Sequence, residues 1–271
     1  MIAPRILLFD SGMGGLTVAR TVRAQLPDAH LIYAADNAGF PYGAWKEDAL
    51  TRRIVGVIGE LIARSDPHVI VIACNTASTI ALARLRETYN LPFVGTVPAI
   101  KPAAAQSVSG VIGVLATPGT VSREYTQVLI REHARHCEVI LHGASRLAEM
   151  AEHKLQGRGI DLEMLRQEVM PVFRNSRGKR TDIVVLACTH YPLITEDIAR
   201  VAPWPVSYLD PAPAIARRVA SVLDETPLHE ARKRIPARGT VLLTAAMSTP
   251  EELTAYAAMG FAAHEFIEMP V

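Results

Sequence analysis

Two short stretches of the chain end an apolar run in the same way. Residues 68–76 read HVIVIACNT and residues 182–190 read DIVVLACTH. Each run is rich in β-branched residues and closes on Ala, Cys and a small polar pair. Cys74 and Cys188 are far too distant in sequence for a CxxC clip, and their matched settings fit two related half-domains with one thiol each. A thiol has a pKa of about 8.5, so thiol and thiolate are both accessible near neutral pH. One thiolate can take a proton from carbon while an opposed thiol delivers one to the other face. The reverse reaction then exchanges the roles. Inversion of a stereocentre needs such a pair, whereas a single nucleophilic cysteine needs no twin. A lone cysteine is more often a small buried hydrophobe, but two in matched settings reverse that expectation. The third cysteine, Cys137, lacks this setting and reads as structural.

A second chemical feature is the turn Asp10-Ser11-Gly12-Met13-Gly14-Gly15, between an expected strand and a helix beginning near Leu16. Glycines let the backbone approach a ligand, and a helix N-terminus favours an anion. The spacing is neither GxGxxG nor a P-loop with lysine, so a nucleotide is poorly supported. The plainer alternative is a tight turn with Asp10 as a local cap. Cys74 is followed by Asn75-Thr76 and a helix starting near Ala77. Cys188 is followed by Thr189-His190, with Pro192 in the first helical turn. Open parallel sheets bind ligands outside the carboxyl ends of their strands, and Asp10, Cys74 and Cys188 all fall at such ends.

The elements that must position these residues follow from the apolar pattern. Strands are expected at 5–9, 30–34, 68–73, 92–95, 111–116, 137–141, 182–187, 205–209, 239–244 and 263–267. Helical patterns lie between them, as at 47–64, where Leu50, Ile54, Val57, Ile58 and Leu61 share one face. Continuous apolar strands imply burial on both faces, hence α/β architecture with mostly parallel sheet under helices and right-handed crossovers. Pro98 and Pro102 bracket a helix start, and Asp210-Pro211-Ala212-Pro213 follows a strand. Both are places for the chain to pass between lobes, giving 98–209 as one lobe and 1–97 plus 210–271 as the other. The basic segment 174–181, RNSRGKRT, reads as a solvated turn.

The bulk numbers exclude several classes. The chain has 271 residues, is 49% hydrophobic and carries a net charge of +1 from 28 basic and 27 acidic residues. Neither a nucleic acid nor an anionic membrane is called for. No apolar run reaches the length of a membrane span, and Asp10 interrupts the short N-terminal one, so no secretory signal is expected. An odd number of cysteines without framework spacing argues against a disulfide scaffold and for a reducing cytoplasm. No HxxxH or CxxC cluster points to a metal. None of Lys46, Lys101, Lys154, Lys179 and Lys233 sits at a strand's carboxyl end beside the glycine turn, which argues against a Schiff-base lysine and hence against pyridoxal phosphate.

Taken together, FDSGMGGLTV (9–18), FPYG (40–43), IACNTAS (72–78), VPAIKPA (97–103), LATPGTV (115–121) and LACTHYPLI (186–194) resemble the signature segments of the glutamate racemases, in the expected order. The resemblance implies a cofactor-independent enzyme interconverting L- and D-glutamate and supplying D-glutamate for peptidoglycan. It implies two similar doubly wound lobes, the active site in a cleft between them, and a homodimer. Carried over by position, Cys74 and Cys188 are the two acid/base residues, with Asp10 and His190 assisting on opposite sides. Glu152 matches a further assisting carboxylate, with Glu149 as its rival. Substrate contacts fall on Ser11, Tyr42, Gly43, Asn75, Thr76, Thr117, Thr120 and Thr189. Hydroxyls, an amide and backbone N–H groups can hold two carboxylates without a mobile lysine near the thiols. Thr117 and Thr120 also fit helix caps before a helix at 121.

The chain departs from the commoner pattern at Pro118, Ala144 and 210–213. None of these is a proposed catalytic group, so they bear on substrate fit and regulation. The chain starts almost at its first strand, so the N-terminal extension that some relatives use for activation by a cell-wall precursor is expected to be absent. An aspartate or hydantoin racemase is the nearest rival, but such relatives commonly resemble Cys-Thr-Glu at the second site, where this chain has Cys188-Thr189-His190. A non-catalytic amino-acid binding protein gives no reason for twin thiols. A thiol oxidoreductase prefers close thiols, and a cysteine hydrolase needs one Cys and one base.

Overall fold

The computed structural model describes residues 2–176, 178–232, 234–246 and 249–267. Its strands, in chain order, are β1 (Arg5–Asp10), β2 (His30–Ala35), β3 (Val69–Ile72), β4 (Phe93–Gly95), β5 (Val111–Ala116), β6 (Glu138–Gly143), β7 (Asn175–Ser176), β8 (Lys179–Arg180), β9 (Ile183–Ala187), β10 (Ser207–Leu209), β11 (Thr240–Leu243) and β12 (Ala263–Phe266). All ten strands expected from the apolar runs are present. The exception to the expected layout is 174–181. Instead of a plain solvated turn, Asn175 pairs with Arg180 and Ser176 with Lys179 in a small antiparallel ribbon. Arg177 lies outside the described residues, as does Lys233.

The chain divides into two compact units, Met1–Thr96 with Ala212–Val271, and Val97–Pro211. The first holds a six-stranded sheet in the order β12-β11-β2-β1-β3-β4, every pairing parallel. β1 and β3 are buried along their whole length. Leu7, Phe9, Ile32, Ile70 and Ile72 point to one side, where they pack with Leu50, Ile54 and Ile58 of the Glu47–Ser65 helix and with Ala77 and Ala81 of the Asn75–Thr88 helix. The Leu16–Gln25 and Ala212–Asp224 helices pack on each other. A strand buried on both faces must be apolar at every position, which explains the unbroken runs.

The second unit repeats the plan with four parallel strands, β10-β9-β5-β6. Leu115, Val184 and Leu186 pack with the Leu147–Leu155, Leu162–Val169 and Thr195–Val201 helices. Ile112, Val114, Ile183 and Val185 face the Ile100–Gln106 helix on the other side. The fold is thus α/β, with two similar doubly wound parallel-sheet units. In each sheet the order reverses once beside the first strand of that unit. The reversal lies between β1 and β3 in one and between β5 and β9 in the other, and such switch points are where open α/β sheets bind ligands. No described helix is long and apolar enough to cross a membrane.

Candidate active site

In the first unit, Phe9 pairs with Ile72, so the residues that follow β1 and β3 emerge side by side. Ser11 Oγ lies 3.7 Å from Cys74 Sγ. Asp10 is fully buried, and its Oδ1 accepts a hydrogen bond from the Gly12 amide at 2.9 Å. The Tyr33 hydroxyl donates to the Gly12 carbonyl at 2.8 Å, pinning the turn from β2. A Cβ on Gly15 would meet Asp10 Cβ and the Tyr33 hydroxyl at 2.8 Å, so only glycine fits there. The turn is therefore tight and brings Ser11 to the thiol; Asp10 accepts within the turn, while the Leu16–Gln25 helix has Gly15 as its N-cap and no side-chain cap.

Cys74 is the N-cap of the 14-residue Asn75–Thr88 helix, which begins two residues earlier than the sequence pattern placed it. The Cys74 carbonyl accepts from the Ser78 amide at 2.9 Å. A thiol at this position feels the positive end of the helix, which favours the thiolate. Asn75 and Thr76 are buried in the first turn. The Asn75 side-chain amide is enclosed, yet both of its polar atoms lack a hydrogen-bond partner. Buried amides are normally satisfied, and this one stands out for that reason. Tyr42 is buried in the same cluster as Cys74, and Gly43 beside it is half-buried. Burial, and then the neighbouring Asp36, push the Tyr42 phenol well above its ordinary pKa, so it remains neutral.

In the second unit, Ala116 pairs with Ala187, which brings Thr117 beside Cys188. Thr117 Oγ1 accepts from the Thr120 amide at 3.3 Å and lies 3.1 Å from Thr120 Oγ1. Thr120 lies within a short helix, Pro118–Val121, that Thr117 caps, rather than preceding a helix at 121. Thr189 is buried. Cys188 Sγ lies 3.7 Å from His190 Nδ1, and His190 Nε2 lies 2.9 Å from Glu152 Oε1. Glu152 extends from the Leu147–Leu155 helix with its side chain 15% exposed. Glu149, the rival carboxylate, is 66% exposed and stands 3.9 Å from His153. The structure thus places Glu152, not Glu149, on the histidine. Burial opposes charge on His190. The hydrogen bonds and charges of Cys188 and Glu152 outweigh it, raising the His190 pKa well above the usual imidazole value. An imidazolium here donates Nδ1–H toward the sulfur and Nε2–H to the carboxylate, which steadies a Cys188 thiolate.

Sequence reasoning missed the residues that fix these turns. Tyr191 is fully buried and its hydroxyl donates to the carbonyls of Ala116 and Ala144 at 3.1 and 3.3 Å, tying the Cys188–His190 turn to the ends of β5 and β6. Pro192 lies in a 3-10 turn, Tyr191–Ile194, ahead of the Thr195–Val201 helix. Tyr33 does the corresponding work in the first unit. Tyr33 reads as one more residue of an apolar run and Tyr191 as part of the segment after Cys188, and only their buried hydroxyls mark them. Cys137 packs at the edge of an apolar cluster, and burial followed by Asp182 pushes its thiol up. Among the described residues no three His, Cys, Asp or Glu side chains converge to hold a metal.

Each of the two parallel-sheet units thus presents a buried thiol at its switch point, with hydrogen-bonding groups beside it. A family model described as Asp/Glu/hydantoin racemase matches residues 16–219, and the chain belongs to that family; it is a racemase, an isomerase. A glutamate racemase from Brucella canis is 56% identical over 225 residues, covering 82% of this chain and 81% of the relative. One from Brucella anthropi is 57% identical over 219 residues, 80% of this chain and 79% of the relative. The crystal structure of Escherichia coli glutamate racemase with L-glutamate and the activator UDP-MurNAc-Ala superposes with a TM-score of 0.90. Its identity is 38%, and the match covers 99% of this chain and all of that one.

Proposed function

We propose that the chain is a glutamate racemase that interconverts L- and D-glutamate by two-base proton transfer, without a cofactor. The observation that carries this reading is the matched pair of buried thiols, Cys74 and Cys188, at the switch points of two similar sheets. The substrate assignment is supported by the Brucella and Escherichia coli relatives.

In the D-to-L direction the Cys74 thiolate removes the α-proton and the Cys188 thiol protonates the opposite face, leaving a Cys188 thiolate. L-glutamate runs the reverse. His190, held by Glu152, stabilises the thiolate of Cys188 or returns its proton. Asp10 is a carboxylate near a thiol and so disfavours a standing thiolate; it accepts the Cys74 proton as substrate binds, or orients the group. Ser11, Asn75, Thr76, Tyr42 and Gly43 in one unit, and Thr117, Thr120 and Thr189 in the other, bind the two carboxylates and the amino group. The buried amide of Asn75, without a hydrogen-bond partner of its own, supports its place among them. Supply of D-glutamate for peptidoglycan in the cytoplasm, by a homodimer, is the setting that fits this activity.

The test is to incubate the purified protein with L-glutamate in deuterated water without added cofactor, following optical activity by circular dichroism and α-deuterium by mass spectrometry. Loss of optical activity with deuterium uptake is the expected result. A response to aspartate and not to glutamate keeps the chemistry and overturns the substrate. No response to any amino acid overturns the reading.

A further inference from the structure

Asp36 lies just beyond the carboxyl end of β2 and is fully buried. Four donors surround its carboxylate. Oδ1 accepts from Arg53 Nη2 at 2.6 Å and from Thr244 Oγ1 at 2.7 Å. Oδ2 accepts from the Tyr42 hydroxyl at 2.5 Å and from Arg53 Nε at 2.7 Å. The donors come from three separate places: the 3-10 turn Tyr42–Ala44, the Glu47–Ser65 helix, and the residue after β11. The 3-10 turn just before it, Asn37–Gly39, is tied down as well. Asn37 Oδ1 accepts from the amides of Thr244 and Ala245 at 3.1 and 3.0 Å, and Trp45 Nε1 donates to the Gly39 carbonyl at 2.9 Å. A Cβ at position 39 would sit 2.7 Å from Arg53 Nε and 2.8 Å from Asp36 Oδ2, so the ion pair has room only because residue 39 is glycine.

A buried ion pair is weak grounds for stability, because desolvation offsets most of the attraction. What this one supplies is geometry. The Tyr42 hydroxyl is engaged by Asp36, so what the Tyr42-Gly43 turn can offer a carboxylate is backbone N–H. The first N–H groups of a helical turn have no partner within it. Their direction depends on where Tyr42 is held, and Tyr42 shares its buried cluster with Cys74.

We propose that Asp36 and Arg53 are positioning residues for the Cys74 half of the site, fixing the Tyr42-Gly43 turn for substrate through the Tyr42 hydroxyl. The inference rests on the reading of that turn as a substrate contact. Neither residue touches the reacting atoms, and each acts through Tyr42.

The test uses Asp36→Asn and Arg53→Lys with two readouts, glutamate kinetics and residue-resolved alkylation of the thiols by iodoacetamide, followed by mass spectrometry. Asp36→Asn is expected to raise KM about tenfold or more with kcat kept within about threefold, since binding common to ground and transition states is lost. Arg53→Lys keeps the charge but loses the two-point contact, and is expected to raise KM less. In both, Cys74 is alkylated faster than in the wild type while Cys188 is unchanged. A purely structural role would lower kcat through loss of active protein at unchanged KM and would alter both thiols together; that result overturns the inference. If the wild type does not racemise glutamate, the racemase reading fails separately. The alkylation ratio then decides alone, and an unchanged Cys74 rate in both variants overturns the positioning role.

Discussion

The two thiols sit at equivalent strand ends, but their surroundings differ in kind. Cys74 caps a 14-residue helix and has Ser11 at 3.7 Å, with the fully buried Asp10 directly before Ser11 at the start of the same tight turn. Cys188 precedes only a 3-10 turn and instead faces an imidazole backed by a carboxylate. Cys74 thus meets the dipoles of a helix start and a turn that carries a carboxylate, whereas Cys188 meets a histidine–carboxylate pair. The same sheet geometry therefore holds two thiols in different electrostatic settings.

The largest effect expected on this comparison is from removing either sulfur. Cys74→Ala and Cys188→Ala should each reduce racemisation on the order of 10⁴-fold, the upper range for a positioned acid or base. Cys→Ser should leave a weak residual rate, because a hydroxyl is the poorer base. A variant with full activity would end the two-thiol mechanism. Next comes His190→Ala, with a fall in kcat/KM of about 10²-fold or more. The two enantiomers have equal free energy, so kcat/KM must fall alike in both directions. The asymmetry appears elsewhere. The primary isotope effect with α-deuterated glutamate should rise for L-glutamate, the enantiomer that Cys188 deprotonates in the proposed mechanism, and stay nearly constant for D-glutamate. Equal changes in both would remove the distinction between the halves.

Glu152→Gln should cost less, about tenfold, the equivalent of one charge-assisted hydrogen bond of roughly 1.5 kcal/mol. Its sharper signature is in pH. The folded pKa of His190 is raised above its ordinary value of 6.5. The stability gained from its charge is therefore fully present below that value and is lost as pH rises through the raised pKa. With glutamine the pKa falls, so the alkaline limb of activity and of thermal stability should move to lower pH. A pH profile that stays in place would mean that Glu152 does not set the charge of His190. The smallest effects belong to the two tyrosines. Tyr33→Phe and Tyr191→Phe each remove a hydroxyl that pins one thiol-bearing turn, and each should cost about 1 kcal/mol in urea unfolding. No loss in one of them would show that its turn is held by packing alone.

Much of this was legible before any coordinates. The apolar runs located all ten strands of the two large sheets, because a strand covered on both faces allows few polar residues. The spacing of ACNT and ACTH placed both thiols at carboxyl ends, since the polar pair marks where the buried run stops. Helix starts were less legible. The Asn75–Thr88 helix opens on residues that read as loop, because Asn and Thr favour turns until a strand end forces the first turn to form. The ribbon at Asn175–Arg180 has too few residues to show a period.

By itself, then, the sequence determined the α/β class, the parallel sheets and the two cysteines, all of which depend on local pattern and on composition along single strands. Tertiary structure alone decided which carboxylate meets His190, because Glu149 and Glu152 lie on one helix and only its packing turns Glu152 inward. It also decided that Asp36, Arg53, Tyr42 and Thr244 form one cluster, joining residues 208 positions apart. A buried carboxylate gathers donors by proximity in space, and strand order, not spacing in the chain, sets that proximity.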